Sequence, residues 1–135
     1  MPGEFSDQGA RNALQAVTGQ TLTYAAGTYY LALFTTTPTD TAAGTEYTAT
    51  GYSRQSVTWS TPALNGSNIM ETSNSASVTF GPFTAGTGGT VSACGLYTAV
   101  TGGTMLVWWT LDTNRTPGTN DSLQFAASAL KLTCD

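Results

Sequence analysis

The sequence predicts an all-β chain, a single β-sandwich of Greek-key or jelly-roll-like type carrying one short N-terminal helix. Three observations carry this reading. About a fifth of the 135 residues are Thr, which is β-branched and favours strands, and 15 are Gly, which punctuates turns. Charged residues make up only 9%, against a usual ~25%. Beyond residue 27, short runs of alternating apolar residues recur between turn signals, the pattern of a sandwich or barrel. A chain of this length holds one domain and buries roughly two-thirds of its unfolded surface, so it needs no metal or disulfide to fold. The expected division is an arm at residues 1–5 and one domain over residues 6–135.

Taken in order, the first element is a helix within residues 6–18. Ala10, Ala13, Leu14 and Val17 recur at three- and four-residue spacing and predict its buried stripe. Ser6 suits the N-cap, Asp7 the first turn, and Gly19 the residue past the end. Gly9 inside the helix runs against propensity. Residues 29–36 form the first predicted strand, closed by Pro38 and an uncharged loop through Gly44. Residues 52–60 form the next, with Tyr52, Arg54, Ser56 and Thr58 on one face and Val57 and Trp59 on the other. Asn65-Gly66 marks a turn. Residues 75–80 form a short strand that Pro82 ends. Residues 90–99 and 104–112 form the clearest hairpin, joined by Val100-Thr101-Gly102-Gly103. After Pro117-Gly118, residues 122–125 and 129–134 supply the last pair.

Two of these strands are apolar on both faces. In residues 104–112, Met105, Val107, Trp109 and Leu111 share one side, while Leu106 and Trp108 share the other. In residues 29–34, Tyr30, Ala32 and Phe34 oppose Tyr29, Leu31 and Leu33. A sandwich has one core, so the second face needs another cover: the helix, a loop, or a neighbouring subunit. Phe5, Tyr30, Phe34 and Trp108 are the interface candidates on the last alternative.

Four basic residues (Arg11, Arg54, Arg115 and Lys131) against eight acidic ones give a net charge of −4. No basic patch can form, which excludes nucleic acid as a partner. No apolar run is long enough to span a bilayer, so no membrane is expected as a partner. Met1-Pro2-Gly3-Glu4 shows neither a basic start nor an apolar stretch, so no secretory signal is expected. His is absent, which excludes His-dependent nucleophiles and His-ligated metals.

Cys94 alternates in phase with Leu96, and Cys134 with Leu130 and Leu132, so both are expected to face the core. They read either as two buried thiols or as a disulfide. Thiols are favoured without a secretory signal. Among Glu4, Asp7, Asp40, Glu46, Glu71, Asp112, Asp121 and Asp135, a glycosidase pair would fall on Asp112 and Asp121. Both adjoin turn residues, where Asp serves local backbone hydrogen bonds, and that reading is preferred. Trp59, Trp108, Trp109 and six Tyr offer material for a sugar-stacking platform, although Trp59 and Trp109 fall at core positions. No cofactor or metal is implied.

One longer pattern stands out. Tyr30-Leu31-Ala32-Leu33-Phe34-Thr35-Thr36-Thr37-Pro38-Thr39-Asp40 is followed by Gly44-Thr45-Glu46 and Gly51-Tyr52-Ser53-Arg54-Gln55. Then come Ser77-Val78-Thr79-Phe80-Gly81-Pro82, Gly95-Leu96-Tyr97 before a Gly-Gly hairpin, Asn120-Asp121-Ser122-Leu123-Gln124-Phe125 and Leu130-Lys131-Leu132. In order and spacing, from Ser6 onward, this resembles a family of small virion proteins of tailed bacteriophages. The resemblance implies a non-enzymatic structural protein, assembled in the host cytoplasm and exposed on the particle. The favoured role is a capsid decoration (cement) protein that binds the major capsid protein in the assembled shell. A tail-fibre or tail-tip component bound to another tail protein is the alternative, and a carbohydrate-binding module the alternative of another class. A small homo-oligomer, with a trimer favoured, goes with the first role. Glu46 and Arg54 match the family's GTE and GYxR segments and are expected to form a buried or half-buried pair. Cys94 departs from the family pattern.

Overall fold

The strands that the sequence marks most clearly by apolar alternation form the centre of the molecule. The computed structural model describes residues 1–84 and 88–134. Its elements run β1 (Gly3–Phe5), α1 (Asp7–Val17), β2 (Tyr29–Phe34), β3 (Gln55–Val57), β4 (Ala63–Leu64), β5 (Met70–Ser73), β6 (Val78–Phe80), β7 (Val91–Tyr97), β8 (Met105–Arg115), β9 (Leu123–Phe125) and β10 (Lys131–Cys134). β1-β8-β7-β2-β3 make one antiparallel sheet; β10-β5-β4 and β6-β9 make two smaller ones. The fold is all-β with a short N-terminal helix. The main core lies between the layers, with Leu31, Leu33, Cys94, Val107 and Trp109 of the large sheet meeting Val78, Phe80, Leu123 and Phe125.

The layers are stitched at both edges. Pro2 bridges Lys131, whose N–H donates to the Met1 carbonyl at 3.1 Å. At the far edge, Trp59 bridges Asn74, and the Ser60 and Ser75 amides donate to the Ser73 and Thr58 carbonyls, each at 2.8 Å. Residues 1–5 are thus no free arm. Gly3–Phe5 is an edge strand against Val107–Trp109, and a Cβ on Gly3 would run into the Trp109 indole.

The helix begins where expected but presents a different side. The Ser6 hydroxyl accepts from the Gly9 amide (3.1 Å) and lies 2.6 Å from the Met105 carbonyl oxygen, to which it donates. The expected stripe does not hold: Leu14 is 64% and Val17 81% exposed. Gly9 is the buried residue instead, because it lies so close to β8 that a Cβ would overlap the Leu106 carbonyl oxygen. This close approach turns Gly9 and its neighbours inward, and Asn12 closes the flank by exchanging two hydrogen bonds with the Tyr24 backbone (2.9 and 3.0 Å). Gly9→Ala is expected to destabilise the protein by about 2 kcal/mol despite the better helix propensity of Ala, because a backbone carbonyl cannot yield. Gly27→Ala, with open space around it, should change stability by less than about 1 kcal/mol. Urea titration of both variants checks the contrast.

Other boundaries moved for nonlocal reasons. The second strand shrinks from residues 52–60 to Gln55–Val57 because Trp59 leaves to bridge Asn74. β5 lies outside every predicted strand, since Met-Glu-Thr-Ser has no apolar alternation and is held by pairing with β10 and β4. The Asn65-Gly66 turn is present as a longer loop, with the Asn65 side-chain oxygen accepting from the Ser67 and Ile69 amides (2.8 and 3.2 Å).

Candidate functional site

The second apolar face of the large sheet holds Ala32, Phe34, Ala93, Tyr97 and Met105, with Trp108 packed beside them. Its cover comes from within the chain. Residues 35–45 lead from the end of β2 back to the helix start, where the Asp40 carbonyl accepts from the Asp7 amide (2.9 Å), and Pro38 on the way is buried. Across the same face, Arg54 ties down the β7–β8 turn. Phe34, an interface candidate from sequence, is therefore wholly buried core. Phe5, Tyr30 and Trp108 are half-buried, and the Trp108 indole N–H is buried without a hydrogen-bond partner among the described residues.

Glu46 and Arg54 are brought together at this face. Glu46 bridges Phe34 at the sheet edge, and Arg54 directly precedes β3. The Arg54 Nε donates to Glu46 Oε1 (2.9 Å) and Nη2 to Oε2 (2.8 Å), a forked pair with side-chain exposures of 7% for Arg54 and 31% for Glu46. Nη1 donates to the Ala99 and Gly102 carbonyls (3.0 and 2.6 Å), and the guanidinium carbon sits 3.8 Å from the centre of the Tyr97 ring. The Tyr52 hydroxyl donates to Glu46 Oε1 (2.8 Å) and accepts from the Leu33 amide (3.1 Å), while its ring stacks on Phe80. The network runs unbroken from the main core to the hairpin tip.

Burial by itself pushes the Glu46 carboxyl up, but the Arg54 and Tyr52 hydrogen bonds and the Arg54 charge outweigh it. The net effect holds Glu46 below the ordinary carboxylate range. Burial pushes the Tyr52 hydroxyl up, and its bond to Glu46 adds to that. The cluster is a positioning device with no free nucleophile: every reactive atom in it is engaged by another. Tyr97 and the two hairpin carbonyls escaped the sequence reading, because they join Arg54 across more than forty residues of chain.

The cysteines part company. Cys94 is wholly buried, and burial raises its thiol. Cys134 does not face the core. Leu130 is buried and Leu132 half-buried, but β10 runs out from the core and leaves Cys134 exposed. Both are free thiols. A thiol reagent is expected to modify Cys134 in the native protein and Cys94 only on unfolding. Fast modification of both in the native state would contradict this burial.

Nor, among the described residues, is there a sugar-stacking platform of exposed aromatic side chains. Among the described residues no aromatic side chain is exposed; Trp109 is buried, stacked on half-buried Trp59 at 5.9 Å, and donates its indole N–H to the Lys131 carbonyl (2.9 Å). Asp112 and Asp121 both line one surface groove, where Asp121 accepts from the Gly118 amide (2.8 Å) as a turn residue does. Asp135 lies outside the described residues. Asn74, which carried no sequence signal, is the one wholly buried side-chain amide among the described residues: it donates to the Ala76 and Ala126 carbonyls (2.9 and 2.8 Å) and accepts from the Leu130 amide (2.9 Å).

Comparison with known proteins agrees with a scaffold of this kind. No curated protein matches the chain. A family profile described as podophage GP4 fiber I protein gp80 matches residues 4–133, from the edge strand through nearly all of β10. A family of fibre proteins speaks for a virion component. With that match covering nearly its whole length, the chain belongs to the podophage GP4 fiber I protein gp80 family.

Proposed function

We propose that the chain is a non-enzymatic subunit of the phage tail fibre, serving as a rigid β-module that other tail proteins hold. The observation that carries this is the family match over residues 4–133, whose description is that of a fibre protein. It favours the tail over the capsid decoration role that the sequence reading put first. The covered second face supports the reading too: a domain that buries both faces of its central sheet by itself can be repeated or joined to neighbours without refolding. Subunits in such an assembly need only modest contacts, because repeated binding adds avidity. The homo-oligomer belongs to the same proposal.

The test is sedimentation of the purified chain with separated tails and with separated empty capsids. Binding to tails at a fixed copy number is the expected result. Binding to capsids at a fixed ratio per capsomer, with none to tails, would replace the fibre role by decoration.

A further inference from the structure

The β7–β8 ladder is broken at its outer end. Ala93 pairs with Thr110 but Val91 with Arg115, so β7 advances two residues while β8 advances five. Bulges sacrifice ladder hydrogen bonds and re-aim side chains, and they gather beside functional sites. Here the bulged residues wall a surface groove of about 450 Å³, with the turn after β8 and the start of β9 as its other side. That volume is in the range of small-ligand sites, roughly 300–1,000 Å³.

The groove concentrates charge in a chain that has little. Asp112, Arg115 and Asp121 are three of its twelve charged residues, four basic and eight acidic. Yet among the described residues Asp112, Thr113 and Arg115 make no side-chain hydrogen bond or ion pair, and Asp121 uses one oxygen, on the Gly118 amide. Buried Leu111 and Leu123 line the same groove and supply apolar floor.

We propose that this groove binds a neutral saccharide. Sugar hydroxyls both donate and accept, so neighbouring hydroxyls can pair with a carboxylate and a guanidinium in the same site. The C–H face of a sugar ring suits a leucine floor. A phosphate or other polyanion is disfavoured, because two carboxylates face one arginine. Buried Phe125 also lines the groove, but the site needs no exposed aromatic platform and does not depend on whether the chain stands on a fibre or a shell.

The experiment is an NMR titration of the isotopically labelled full chain with glucose, galactose, rhamnose, N-acetylglucosamine and lactose, and separately with trilysine. The expected result is that at least one sugar gives saturable shifts confined to the amides of Asp112, Thr113, Arg115 and Asp121. The double variant Asp112→Asn, Arg115→Ala should weaken that binding about tenfold or more, with the rest of the spectrum unchanged. The proposal is overturned if no sugar gives saturable shifts there, if the shifts lie elsewhere, or if trilysine occupies the groove and the sugars do not. Unchanged sugar affinity in a folded double variant overturns it as well.

Discussion

Arg54→Met is expected to lower the unfolding free energy by about 3 kcal/mol. Removing one partner of a buried ion pair costs about 3–5 kcal/mol, and the part-exposure of Glu46 places this pair at the low end. The loss has three sources: the fork to Glu46, the two bonds that hold the Ala99 and Gly102 carbonyls, and the guanidinium over Tyr97. Arg54→Lys should recover less than half, because an ammonium cannot serve the carboxylate fork and the hairpin carbonyls together. Urea unfolding measures the energy. Hydrogen exchange at the Thr98 and Thr104 amides, which close the hairpin, should rise in step. A change below about 1 kcal/mol would show that the clamp is ornamental.

The same pair sets an acid limb. The folded Glu46 carboxyl titrates below its unfolded value, so its contribution is fully present above the ordinary carboxylate range, about pH 4.3, and is lost as the pH falls through the folded value. In Glu46→Gln the fall in stability below about pH 4.3 should be shallower than in the parent chain. An identical slope would place the acid sensitivity on other carboxylates.

Asn74→Ala should cost about as much, roughly 3 kcal/mol. Its amide serves three backbone groups, and an apolar side chain would leave the buried Leu130 N–H and the Ala76 carbonyl without that partner, while the Ala126 carbonyl keeps the Ala129 amide (3.1 Å). Asn74→Leu should do no better, since the partners are backbone and stay in place. Asn74→Asp keeps the acceptor for Leu130 but aims a carboxylate at two carbonyls, and should be as severe. Equilibrium unfolding in urea decides; stability within about 1 kcal/mol of the parent would mean that water replaces the amide.

These two residues show what kind of signal a sequence holds. Arg54 was found because it sits in a GYxR segment and in phase with Tyr52, and its partner Glu46 lies only eight residues away. Asn74 gave nothing, because Ser-Asn-Ser is what an ordinary loop looks like, and two of its three partners, Ala126 and Leu130, lie more than fifty residues off. The helix illustrates both cases. Its start was legible in Ser6, a local cap, while its buried side was misread because Gly9 meets a carbonyl nearly a hundred residues away.

By itself, then, the sequence determined the all-β class, the short helix, the Gly-Gly hairpin and the central strands, since each follows from side-chain period or turn chemistry within a few residues. It also determined the low charge that makes Asp112 and Arg115, without partners among the described residues, conspicuous in one groove. Only the tertiary structure decided which strands close the edges, what covers the second face of the central sheet, and which cysteine meets solvent. Those depend on pairings between distant segments. Their energies come from buried hydrogen bonds and close contacts that form only once the chain has returned on itself.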